Sequence, residues 1–189
     1  MSYRTLVLAA CLCAAQAMLA QNYRLAYFGE TVTHYGLRGG LEYSLHHTEK
    51  PGDLASIRNE LILGIHLTVF RHPDNHIGVI LSPELGWRRT GKRGGIIQAA
   101  VATGLFRSIY EGSTYKTDEN GNFKKVPLAG QWGFMPGVSL GFGKDLSVGG
   151  DTPMILFANV HYMRQYPYNK TYLIRPALEA GVIIKNNNK

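Results

Sequence analysis

The sequence predicts an all-β protein, an eight-stranded antiparallel up-and-down transmembrane β-barrel with one long protruding hairpin. Three observations lead there. Apolar residues alternate with small or polar ones along most of the chain, the period of a strand, and no stretch repeats with the period of a helix. The bulky apolar face of each stretch runs for about ten residues, the length a tilted strand needs to cross the hydrocarbon layer of a membrane. The opposite face carries Gly40, Gly64, Gly86, Gly104, Gly137, Gly141 and Gly181 with Ser, Ala and a few charges. A water-facing surface would be rich in Lys, Thr and Glu, whereas small residues suit a narrow lumen filled by side chains.

The elements follow in order. Met1 to Arg4 is a short basic segment, Thr5 to Met18 is apolar, and Ala15-Gln16-Ala17 or Met18-Leu19-Ala20 fits a cleavage site. Residues 1–20 therefore read as an export signal, leaving residues 21–189 as one barrel domain. Leu8-Ala9-Ala10-Cys11 also fits a lipoprotein cleavage box, with Cys11 as the lipidated residue. Cleavage after Ala20 removes both cysteines, Cys11 and Cys13, and with them any disulfide, thiolate metal site or Cys nucleophile.

Tyr23, Leu25 and Tyr27 alternate with Arg24, Ala26 and Glu30 in the first strand. Leu37, Gly39, Leu41, Tyr43 and Leu45 oppose Arg38, Gly40, Glu42, Ser44 and His46 in the second. His47 to Asn59, containing Pro51-Gly52-Asp53, reads as a polar loop. Leu61 to Phe70 and Ile77 to Arg88 give two more strands about the breaker His72-Pro73-Asp74-Asn75, with Pro83 marking an irregularity in the second. Gly94 to Lys144 reads as two long strands folded about Asp118-Glu119-Asn120-Gly121-Asn122, whose Asn-Gly pair tolerates the positive φ of a tight turn. Met154 to Tyr166 and Tyr172 to Lys185 complete the set, separated by Pro167-Tyr168-Asn169-Lys170. Tyr27, Tyr43, Trp87, Trp132, Tyr162, Tyr166 and Tyr172 lie near strand ends, where the aromatic girdles of a membrane barrel belong.

The 189-residue chain has 20 basic and 13 acidic residues, a formal charge of +7. The basic residues gather beside strand ends, at Arg88, Arg89, Lys92 and Arg93, at Lys124 and Lys125, and at Lys185 and Lys189. They form no continuous stripe of the kind that tracks a nucleic-acid backbone, and they suit anionic head groups or solvated turns. No phosphate-binding glycine loop or zinc-ligand pattern is present, and no cofactor is expected.

An export signal, eight glycine-rich alternating strands and aromatic strand ends resemble the eight-stranded outer-membrane barrels of Gram-negative bacteria, the OmpA and OmpX type. The resemblance covers residues 21–189 and implies location in the bacterial outer membrane after Sec export. It implies contact with outer-membrane lipids, lipopolysaccharide among them, and with the assembly machinery. Members of that type usually end in an aromatic residue, whereas this chain ends Ile184-Lys185-Asn186-Asn187-Asn188-Lys189.

Arg38 with Glu42, Glu84 with Arg88, and Arg175 with Glu179 stand four apart on inward faces. Enclosed charges must find partners, so an ionic network filling the lumen is expected, the alternative being a narrow porin-like conduit. His66, Ser82 and Glu84, inward on neighbouring strands, can be written as the triad of a lipid-modifying hydrolase, against the plainer reading of lumenal polar packing. His72 and His76, or His46 and His47, allow a surface metal site to be drawn, but the sequence supplies no outer shell and no metal is expected. Residues 108–130 extend beyond the membrane-spanning runs, so Tyr110, Tyr115, Asn120, Gly121 and Phe123 are candidates to meet an extracellular protein or glycan. The expected role is a non-enzymatic one in envelope integrity or surface adhesion; a hydrolase and a secreted soluble ligand-binding barrel are the alternatives.

Overall fold

The computed structural model describes residues 22–30, 34–50, 57–118, 121–168 and 171–186. The expected export signal, with Cys11 and both cleavage sites, lies outside the described residues, as does Asn120.

The described residues form twelve strands: β1 (Asn22–Glu30), β2 (His34–Lys50), β3 (Ile57–His72), β4 (His76–Thr90), β5 (Gly95–Ala102), β6 (Leu105–Tyr110), β7 (Thr114–Thr117), β8 (Phe123–Val126), β9 (Trp132–Phe134), β10 (Gly137–Asp145), β11 (Met154–Tyr168) and β12 (Thr171–Lys185). β5 and β6 both pair with β4, and β9 and β10 both pair with β11, so each couple is one interrupted stave. The result is a ring of eight antiparallel staves closed by β12 against β1, with Asn22 opposite Lys185. β7 and β8 form a separate small hairpin.

Proline accounts for both interruptions. Thr103 donates its N–H to the carbonyl of Pro83, which has no N–H to return, and the pairing lapses there between β5 and β6. The irregularity expected at Pro83 thus falls on its neighbour, while β4 itself runs through unbroken. Pro136 sits in the gap between β9 and β10.

The ring is staggered. Followed through hydrogen-bonded partners, Glu30 leads to Ala177, His161, Ser139, Ala100, Gly86, Ile62 and then Ser44. Ser44 lies beyond the Asn22–Glu42 pair that opens β1. The row therefore descends steadily around the wall, which is the strand tilt that closure requires. One rim carries both ends of the ring and the turns at 91–94 and 146–153; the other carries the 73–75 turn and the long hairpin.

Where the sequence assigns faces, the assignment holds along the staves, with one local exception. A bulge at Leu45 pairs Ser44 with Ile62 but His46 with Leu61, so His46 moves to the outer side. The expected loop from His47 to Asn59 is also shorter. β2 runs on to Lys50 and pairs with β3 from Ile57, leaving 51–56 outside the described residues. Polar residues on both faces erase the alternation there, and backbone pairing continues without it. The last stave stands where the sequence places it, bonded to β11 and β1 on its two sides.

Candidate functional site

The barrel is polar inside and apolar outside. Leu37, Ile97, Leu140, Phe142 and Leu178 are each more than half exposed on the outer wall, whereas Arg38, Glu42, Arg88 and Glu179 are at most 2% exposed.

Because β1 places Arg24 inward between two acid-bearing staves, its guanidinium can bridge them. It meets both oxygens of Glu179 at 3.0 and 2.9 Å and Glu42 Oε1 at 3.0 Å. Arg88 donates to Glu42 Oε2 at 2.9 Å and to Gln98 Oε1 at 3.0 Å. Gln98 donates to Asn159 Oδ1 at 2.7 Å, and Asn159 donates to Glu179 Oε2 at 2.9 Å. The circuit Glu42, Arg88, Gln98, Asn159, Glu179, Arg24 and back to Glu42 therefore closes across the lumen. Each member comes from a different stave. Planar guanidinium groups suit such a circuit, since each offers several donors in a fixed fork.

Two branches extend it. Arg38 donates to Glu84 at 2.5 Å and lies 3.6 Å from Glu179, while His66 Nδ1 stands 3.4 Å from Glu84. His161 Nε2 stands 2.7 Å from Glu179. The carboxylates of Glu42, Glu84 and Glu179 face the guanidinium groups of Arg24, Arg38 and Arg88, so charge is balanced locally. The cavity left among these groups measures about 20 Å³, room for about one water.

Apolar layers lie on either side. Ile96, Ile155, Phe157 and Ile183 pack toward the rim of the chain ends, with Arg24 stacked 4.2 Å from the Phe157 ring centroid. Phe28, Phe70, Ile80, Phe106, Met135 and Met163 pack toward the hairpin rim, the Phe70 and Phe106 rings lying nearly parallel. Above that layer a cavity of about 350 Å³ opens, lined in part by Glu30, His34, His72, His76, Tyr110 and Arg175. Arg175 bonds Glu30 at 2.6 Å and Gln165 at 2.7 Å across its floor.

All six acids and bases singled out in the sequence, Arg38, Glu42, Glu84, Arg88, Arg175 and Glu179, stand inside the barrel. No two of them four apart on one strand bond to each other; every ion pair of theirs crosses between staves. Arg24, Glu30, Gln98, Asn159 and His161 complete the network. Their inward alternation was visible in the sequence, but partners across the lumen were not.

His66 and Ser82 face each other across β3 and β4, with Glu84 beside the His66 ring. Among the described residues no hydrogen bond joins His66 to Ser82, and His66 Nε2 is buried without a partner. The group sits below the phenylalanine layer, with all three side chains buried.

The hairpin bends where the sequence predicts a continuous ribbon. Tyr110 ends β6 and lines the cavity, and positive φ at Gly112 and Leu128 turns both arms aside. Tyr115 and Phe123 then share one exposed face of the β7–β8 hairpin. Gly121, at φ 82°, closes the tip with its N–H on the Asp118 carbonyl. The hairpin's foot is clasped by a guanidinium fork, Arg71 to Glu111 at 2.6 and 3.0 Å. That fork holds the Glu111 carboxyl below the usual range.

A closed ring of eight antiparallel staves, polar within and apolar without, defines the class: the chain has the fold of the small eight-stranded outer-membrane β-barrels. No family model matches the chain, and no curated protein matches it by sequence. Among solved structures it resembles the crystal structure of Neisserial surface protein A (NspA), at 13% identity over 87% of this chain and 95% of that one, with a TM-score of 0.51. The crystal structure of the outer membrane enzyme PagL matches at 11% identity over 87% of this chain and 99% of that one, with a TM-score of 0.46.

Proposed function

We propose that this protein is an integral protein of the bacterial outer membrane with a sealed lumen, working through its exposed hairpin in adhesion or envelope integrity rather than by catalysis. One observation carries the reading: a closed hydrogen-bonded circuit fills the interior of a barrel whose outer wall is apolar on every stave. Such a wall in water would be a patch far larger than soluble monomers expose. In lipid it is the expected surface, and all backbone polar groups of a closed ring are satisfied without water. The balanced charges inside then favour a plug over a porin-like conduit. The burial of His66 below aromatic side chains favours lumenal packing over hydrolysis.

Sec export, contact with the assembly machinery and an extracellular protein or glycan partner belong to this same reading. With both ends of the ring in the periplasm, the hairpin rim faces outward, and Tyr115 and Phe123 present a compact aromatic face to a partner. Removing residues 113–127 tests it. The deletion should leave membrane insertion intact and abolish adherence of cells displaying the protein to host-matrix proteins or glycan arrays. Unchanged adherence, or a lipid profile that changes on His66→Ala, would set the reading aside.

A further inference from the structure

Among the described side chains of the barrel wall few are charged, and all of those on outward-facing strand positions are basic: Arg71, Arg89, Arg107, Lys144 and Arg164. Arg71 is already neutralised by Glu111. Arg107 and Arg164 are not, since among the described residues neither has an acidic partner. Both are instead laid against aromatic rings of the wall. The Arg164 guanidinium lies 3.5 Å from the Tyr172 ring centroid, and that of Arg107 lies 5.1 Å from the ring of Trp132 while donating to the Leu128 carbonyl at 2.8 Å.

The stagger of the ring brings these two arginines to one depth. Arg107 pairs with Trp132, and Phe134 pairs with Tyr166, so Arg164 lies nearer the rim of the chain ends than the row of Arg107. The row itself rises toward the hairpin rim in passing from β6 to β11. The two offsets oppose each other, leaving the α-carbons within a few ångströms of one level and about 15 Å apart around the wall. Phe134 and Tyr166 stand between them, both exposed.

We infer that this belt is a binding site for a phosphorylated glycolipid of the outer leaflet, with Arg107 and Arg164 each receiving a phosphate of one broad sugar head group and Phe134 and Tyr166 packing against its acyl chains. The inference rests on the outer-membrane reading above. Charge complementarity chooses the occupant. Cations without acids, at one level of an apolar wall, suit an anionic lipid and repel none. Guanidinium matches a phosphate monoester with paired hydrogen bonds, and stacking holds its plane ready. Two sites this far apart exceed the reach of a single phosphodiester head group.

The test uses the full chain reconstituted in nanodiscs of phosphatidylcholine doped with bisphosphorylated lipid A, with the dephosphorylated glycolipid, or with phosphatidylglycerol. Bound lipid is counted by native mass spectrometry. The wild type should retain the bisphosphorylated lipid at least tenfold over the other two, and Arg107→Gln/Arg164→Gln should lose that preference. Arg89→Gln/Lys144→Gln, at the opposite rim, should keep it. Arg107→Lys/Arg164→Lys, with charge but no planar fork, should fall between. Equal retention of all three lipids, or full retention by the Gln double variant, would overturn the site. A protein that does not enter nanodiscs at all would instead overturn the outer-membrane reading, so the two failures are distinguishable.

Discussion

Gly141 shows how a single position serves the lumen. A Cβ there would lie 1.8 Å from Asn159 Oδ1 and 2.6 Å from the Ala158 carbonyl oxygen, in the space the hydrogen-bonded circuit occupies. Gly141→Ala should therefore push Asn159 off Gln98 or Glu179 and cost about 1–3 kcal/mol, as overpacking does. The urea midpoint of the protein refolded into lipid vesicles measures this, and an unmoved midpoint would contradict the packing. Arg24 has the larger part, because it bonds two carboxylates from different staves. Arg24→Met should cost about 3–5 kcal/mol by leaving buried charge uncompensated. In the same assay, Arg24→Met/Glu179→Gln should recover part of that loss. Which residues face inward was legible in the sequence, since a strand repeats every two residues. Which residues meet was not. Residues four apart on one strand stand about 13 Å apart, too far to bond, and the stagger that selects partners across the lumen leaves no local mark in the sequence.

At the scale of elements, the strands of the apolar band and the tight turns were legible, and the pairing and bending of backbone beyond the band were not. The turns at 72–76 and 118–122 were legible from Asp, Asn, Pro and Gly. The pairing of residues 47–50 with 57–60 was hidden, because polar residues stand on both faces there and no burial fixes the register, and the bulge at Leu45 carries no Gly or Pro to mark it. The bends of the long hairpin were hidden for a related reason: they follow from a contact with another element. Glu111 donates its N–H to the Asn75 carbonyl while its carboxylate grips Arg71, tying the hairpin to the neighbouring turn. Since its carboxyl is held below the ordinary glutamate range, the clasp is fully present above that range and is released as pH falls through the lowered value. The Gly112 amide resonance should titrate at acid pH, and Glu111→Gln should abolish the titration. A Gly112 signal that titrates alike in both proteins would show that the clasp does not hold the foot.

For the molecule as a whole, the fold class was legible because the apolar face is bulky and the opposite face small over every stave, a contrast that a water-soluble barrel reverses. Closure, stagger and the layered interior then follow from packing that alternation alone cannot describe. Everything proposed here depends on that inversion, and one measurement addresses it: gel mobility of the membrane-extracted protein with and without boiling, in cold detergent. A closed barrel with a lipid-facing wall resists unfolding under those conditions, so the unboiled protein should run as a distinct band that heating converts to a second one. If the protein is instead released by alkaline carbonate and boiling moves nothing, the apolar face does not meet lipid, and the account of this barrel as a membrane protein fails.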